Sequence, residues 1–266
     1  MKTAIKLVLI YFGMQILSAL LIMIPCVIYL VVTGGNIDDA QQMVFAPSLI
    51  LAILLMGLYL WKSGYVSVSK KTWSPVSSSY LILSVVSALS TIWILDWTLT
   101  FVHIPDWMEL AFDILQSGWI GIISVSILGP ILEELLFRGA VTRALLQKYS
   151  PDKAIFLSAF VFGIFHLNPV QVIGAFFIGL LLAWVYYRSG SLVPCILIHI
   201  VNNSLSVYLN LKYPDANSLS ELTGTISPIA VTIIAVLLLV LSCFLMKRMT
   251  TSVTQWKEED KTNFVN

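Results

Sequence analysis

Glu133-Glu134-Leu135-Leu136-Phe137-Arg138 places two adjacent carboxylates and a guanidinium at the end of the apolar run from Trp119 to Phe137. Inserting each such group into hydrocarbon costs about 2.5 to 3.5 kcal/mol, so it faces a protein interior or a water-filled cavity. Further along, His166 follows Phe162 by one helical turn, and the i,i+4 spacing of His199 and Asn203 puts both on one helix face. A carboxylate held away from bulk water can take a proton from a water molecule, and a neighbouring imidazole can share or orient that water. Glu133 is the candidate base. An imidazole and an amide on one face can hydrogen-bond the oxyanion formed when water attacks an amide carbonyl, and His199 with Asn203 suits that role. Glu133, His166 and His199 also make a zinc set with one position left for water. There is no HExxH, and spacing alone does not choose between the two routes. No Ser or Cys stands beside a His as a nucleophile, although Ser124 and Ser126 on the same segment stay open.

Singly, these residues also have plainer explanations. Glu134 and Arg138 read equally well as a structural ion pair, each His as an interhelical contact, Asn202 as interhelical glue and Phe162 as packing. Asp96, near the outer end of the third apolar segment, has no obvious partner. Taken together, two imidazoles, two carboxylates and an amide at compatible depths form the set that hydrolysis requires.

Such groups need a scaffold that is itself apolar. Of 266 residues, 58% are hydrophobic and 11% charged, with a mean hydropathy of +0.91, which leaves too little polar surface to cover a soluble globule. The expected fold is an all-α, polytopic membrane protein with a polar catalytic cavity in its bundle. About 20 apolar residues cross a bilayer, a ruler that gives eight helices, near 5–32, 46–62, 79–101, 118–137, 154–168, 170–187, 192–210 and 227–246. The fifth is short for a full crossing and is joined to the sixth only by Leu167-Asn168-Pro169. Three parts follow: residues 1–117 with helices one to three, 118–210 with the chemistry on helices four to seven, and 211–266 with the last helix and a charged tail.

A net charge of +1, with basic residues scattered among loops, gives no reason to expect a nucleic acid partner. Cys26, Cys195 and Cys243 sit in apolar runs without CxxC spacing and read as small buried residues. With a cytoplasmic N-terminus, 14 of the 15 Lys and Arg collect on one side, Lys71, Lys257 and Lys261 among them, and only Lys212 falls on the other. The expectation is a multi-pass cell-membrane protein with both termini cytoplasmic.

Helix four should continue past the interface to Ser150-Pro151, and helix five should begin near Asp152 as its N-cap. A tight hairpin centred near residue 150 sets residue i level with roughly residue 300 minus i. Glu133 and Glu134 are then level with His166, and Arg138 with Phe162. Pro130 cannot donate a backbone N–H, so helix four should bend there and leave the carbonyl of Ser126 free.

In this order, Glu133-Glu134-x-x-x-Arg138, Phe162-x-x-x-His166 and His199-x-x-x-Asn203 resemble the three motifs of the CAAX-prenyl endopeptidase type II group, also called CPBP or Abi intramembrane proteases. The likeness covers about residues 118–210. It implies a membrane endopeptidase with a cavity open to the cytosol, in which Glu133 and His166 activate water. His199 and Asn203 would stabilise the oxyanion, and Glu134 and Arg138 would shape the site. The family is also described as metalloproteases, so a divalent metal such as zinc stays open as a cofactor. The expected partners are a peptide or protein substrate, arriving from the membrane or the cytosol, and the bilayer itself. Two rivals remain. One is a non-catalytic immunity or scaffold protein of the same family, in which the polar set only fixes packing. The other is an ion or solute carrier, which would need polar groups along a route that helices one to three lack, apart from Asp96.

Overall fold

The structure, a computed structural model, describes residues 1–70, 72–216 and 218–250, without the side chains of residues 37, 38, 39 and 42. Lys71 and the expected tail with Lys257 and Lys261 lie outside the described residues. Among those described, the chain is all-helical. The helices are α1 (Lys2–Thr33), α2 (Ile37–Lys62), α3 (Ser78–Leu99), the short α4 (Glu109–Gln116), α5 (Trp119–Lys148), α6 (Pro151–Phe165), α7 (Pro169–Ser189), α8 (Val193–Lys212) and α9 (Pro228–Met249). A 3-10 turn, Leu219–Thr223, precedes the last.

Seven of these helices are long and apolar enough to cross a membrane. The eighth expected span is α6, a helix of 15 residues. It measures about 22 Å at 1.5 Å per residue, less than the roughly 30 Å of a hydrocarbon core. Outward-facing aliphatic side chains such as Val31, Val32, Leu237 and Val240 are largely exposed, as a lipid-facing surface requires.

α5 lies at the centre and touches α1, α2, α6 and α8. Three antiparallel or neighbouring pairs surround it: α1 with α2, α3 with α9, and α6 with α7. Over 30 residues α5 runs about 45 Å, so it outlasts the hydrocarbon and stays helical to Lys148, as expected. The following helix is capped two residues earlier than expected. Ser150 is the N-cap and Pro151 takes the first turn, where its missing N–H costs nothing, while Asp152 sits inside that turn.

The hairpin keeps its register. Thr142 and Ser158, whose numbers sum to 300, share a hydroxyl hydrogen bond of 2.6 Å. α6 and α7 approach so closely that a Cβ on Gly163 would come 2.9 Å from the carbonyl of Val172, and one on Gly179 would come 3.2 Å from the Cα of Ala159. Absence of side chains there lets α7 bring its backbone up to α5.

Candidate active site

The carboxylates ride on a helix that is not a regular α-helix. α5 contains two π-helical stretches, Ser124–Leu128 and Leu135–Thr142, on either side of a short α-helical piece ending at Glu134. In the first, the N–H of Gly129 bonds the carbonyl of Ser124, five residues back. This shift by one places Pro130, which has no N–H, opposite Val125. The carbonyl that loses its donor is therefore Val125's, not that of Ser126 as expected from α-helical counting. Asn203 of α8 fills the vacancy by donating from Nδ2 at 2.9 Å. Widened π turns recur at functional sites because they re-aim side chains.

Glu134, Arg138 and His199 form a dry inner layer. Glu134 and Arg138 are 0% exposed and His199 is 3% exposed. Glu134 Oε1 accepts from Arg138 Nη1 at 2.8 Å and from His199 Nδ1 at 2.7 Å. Arg138 Nη2 donates to the carbonyl of Gly179 at 3.2 Å, and the guanidinium lies 4.4 Å from the centre of the Phe162 ring. Phe162 also meets His166 and His199 edge to face, so it forms the floor beneath the cation and both imidazoles. Breaking a buried pair leaves an uncompensated charge, which is why such groups arrive together.

Glu133 and His166 form the wetter outer edge, with side chains 17% and 20% exposed. Nδ1 of His166 sits 2.9 Å from the carbonyl of Phe162. A carbonyl only accepts, so Nδ1 carries the hydrogen and Nε2 presents a lone pair. The same logic applies to His199, whose Nδ1–H faces the Glu134 carboxylate. Both Nε2 atoms point at one oxygen: Glu133 Oε2 lies 3.9 Å from that of His166 and 3.7 Å from that of His199. That oxygen is buried and has no hydrogen-bond partner. Three acceptors, with no protein donor among them, surround this gap.

Five of the six residues picked from the sequence thus converge: Glu133, Glu134, Arg138, His166 and His199. Asn203 lies one turn beyond His199 and is held by Val125, with its Oδ1 accepting from Asn202 at 3.0 Å. Ser124 and Ser126 donate their hydroxyls to the carbonyls of Ile120 and Ile122 in their own helix, so neither is set up as a nucleophile. Asp96 caps the distant 3-10 turn by accepting from the N–H of Leu219 at 2.8 Å. The cysteines are free thiols, two buried and one half-buried.

Two features escaped the sequence. Asn168 is fully buried; its Nδ2 donates to Asp106 Oδ1 at 2.9 Å and its Oδ1 accepts from the N–H of Trp107 at 2.9 Å. It fastens the loop after α3 to the turn that carries His166, a turn in which Leu167 has a φ of 56°. The only signal was an amide residue directly before Pro169, at an N-cap position. Tyr11 of α1, buried and stacked on Phe165 at 5.4 Å, comes close enough to Glu133 to interact with its charge. Nothing in an apolar first helix marks that tyrosine.

The donor types around the gap suit a divalent ion, since two imidazole lone pairs and a carboxylate oxygen face each other. Ligands of a tetrahedral zinc lie about 3.3 Å apart, and the spacing here is a few tenths of an ångström wider. Among the described residues no set of three His, Cys, Asp or Glu closes to metal-site spacing.

Residues 115–205 match the family model described as Type II CAAX prenyl endopeptidase Rce1-like. The matched segment contains all six residues above and agrees with the resemblance read from the three motifs. A curated relative, "Putative membrane peptidase YdiL" of Bacillus subtilis (strain 168), is 31% identical over 113 residues, which is 42% of this chain. The match covers 46% of that protein, so the chain spans about half the length of this relative. No solved structure matches.

Proposed function

Starting from a family match that encloses the whole polar site, we propose that this multi-pass membrane protein is an endopeptidase that hydrolyses a peptide bond within the bundle. One observation carries the reading: Glu133 Oε2, buried and without a partner, faces the Nε2 lone pairs of His166 and His199. Three acceptors around a gap call for a guest with hydrogens to give, and water is the smallest. Glu133 takes one proton as the water oxygen attacks the substrate carbonyl, His166 orients the other hydrogen, and Glu133 then gives its proton to the amide nitrogen as the C–N bond breaks. His199, when it holds a second proton on Nε2, has its charge balanced by Glu134 and becomes a donor to the developing oxyanion. Asn203 keeps one amide hydrogen on Val125 and has a second for that same oxygen. Glu134 and Arg138 hold His199 and the floor in place without touching the substrate. Where a divalent ion occupies the gap, Glu133, His166 and His199 would hold it, and it would supply Lewis-acid activation of the water.

The rest of the reading concerns placement. Both termini lie in the cytoplasm, which puts the Lys- and Arg-rich loops on the inner side. Residues 118–210 are the catalytic core, and 1–117 with 211–266 flank it. A peptide segment reaches the site from the membrane or the cytosol.

The test is membrane proteomics of a deletion strain complemented with wild type or with Glu133→Ala. General base loss lowers the rate by roughly a hundred- to ten-thousandfold, so uncleaved substrate should accumulate in the Glu133→Ala strain although the variant reaches the membrane at normal levels. Normal processing by that variant would instead support a scaffold or immunity protein.

A further inference from the structure

Lined by none of the site residues, a cavity of about 740 Å³ is bordered by α3, α7 and α9, a volume within the roughly 300 to 1,000 Å³ of ligand sites. Its walls are apolar, with Ile94, Leu95, Phe177, Leu181, Trp184 and Phe244 among them. Along α7 it runs from Ile173 to Trp184, which at 1.5 Å per residue is about 16 Å parallel to the helix axes. That is a slot for an extended hydrocarbon chain, not for a compact ligand.

One end of the slot is positive. Lys247 is its single charged lining residue. Next to it, the guanidinium of Arg248 lies 4.4 Å from the ring centre of Phe244, itself part of the wall. Arg188, buried at the end of α7, donates from Nε to Thr250 Oγ1 at 3.1 Å and from Nη2 to the carbonyl of Lys247 at 2.7 Å, and also bonds the carbonyl of Thr250. Carbonyls at the C-terminus of α9 are good company for a cation, but they do not neutralise it. Among the described residues, no carboxylate pairs with Arg188, Lys247 or Arg248. Three like charges at the mouth of an apolar slot are complementary to an amphiphile with an anionic head and a long tail.

We propose that this cleft binds an anionic membrane phospholipid, with one acyl chain lying along α7 and the phosphate against Lys247 and Arg248. Basic residues at a membrane interface recognise such headgroups by charge, while the slot beside them recognises the chain. The site is separate from the carboxylates and stands whether or not the protein is a peptidase.

The experiment uses the full chain, purified in a non-ionic detergent, with native mass spectrometry in equimolar phosphatidylglycerol and phosphatidylcholine bearing the same acyl chains. The expected result is preferential retention of phosphatidylglycerol, reduced about fivefold for each charge removed by Lys247→Gln and Arg248→Gln. Thr98→Trp, at an exposed lining position, and Leu181→Phe, deeper in the slot, should both lower retention while leaving the cations in place. Equal retention of the two lipids, meaning annular lipid only, would overturn the proposal. So would charge variants that act while both slot-filling variants bind normally, since that is surface attraction without a site. A protein chain or a second copy occupying the cleft in place of lipid would overturn it as well.

Discussion

Glu133 and Glu134 are neighbours in the chain, yet they belong to two layers with opposite character. Glu134 is sealed, and one of its oxygens serves an arginine and an imidazole at once. Glu133 sits at the rim, with an oxygen that has imidazoles nearby and no hydrogen to accept. Successive residues on a helix point about 100° apart, so one turn can feed both a closed ion pair and an open edge. The difference teaches that a sequence motif of paired acids does not imply paired duties. In the inner layer the charges pair with each other and with an imidazole, although Glu134 Oε2 and Arg138 Nε have no hydrogen-bond partner, and in the outer layer Glu133 Oε2 faces only imidazole nitrogens.

That contrast can be broken most forcefully from the inside. Arg138→Ala strands the fully buried Glu134 carboxylate, and the loss should reach about 3 to 5 kcal/mol, seen as failure to accumulate or as a steep fall in unfolding free energy in mixed micelles. A mild phenotype would mean that the inner layer is not the anchor. Gly179→Ala comes next: the new Cβ would press on Phe162 and on the backbone of Ala159 and push away the carbonyl that Arg138 uses. Overpacking of this sort costs about 1 to 3 kcal/mol, and the same unfolding titration reads it. At the rim, Glu133→Gln should change stability by less than about 1 kcal/mol, because no protein hydrogen bond is lost from Oε2 and a half-buried negative charge is removed. A loss as large as that of Arg138→Ala would erase the distinction between the layers. The smallest effect is expected from Thr142→Val, outside both layers, which gives up one hydroxyl bond to Ser158 and should cost about 0.6 kcal/mol.

Much of this arrangement could be read from the chain because helical hairpins obey simple arithmetic. A fixed rise per residue and a tip near residue 150 were enough to set Arg138 against Phe162, the carboxylates against His166, and, without being sought, Thr142 against Ser158. The distances bear this out at 4.4 Å, 3.9 Å and 2.6 Å respectively. What the same arithmetic missed is whatever departs from regular rise or bridges distant segments. Pro130 announced a disturbance in α5, but α-helical counting assigned the orphan carbonyl to Ser126, and only the π register moves it to Val125. Asn168 and Asp106 are separated by 62 residues, and neither carries a local signature of the other. α6 was recognisable as apolar yet too short to be a full crossing, since a run of hydrophobic residues does not record whether it meets lipid or protein.

The two widened stretches of α5 also bear on how this chain tolerates insertions and deletions. Each behaves as though one residue had been slipped into an ordinary helix and absorbed in a single wide turn, so that the residues beyond it keep their facing. Deleting a single residue between Ser124 and Leu128 would let that turn close to an α-helical one and leave Glu133, Glu134 and Arg138 aimed as they are, whereas removing a residue from a regular α-helical turn rotates everything after it by about 100°. The wide turns are therefore the places in α5 where a change of length does least to the direction of the acids.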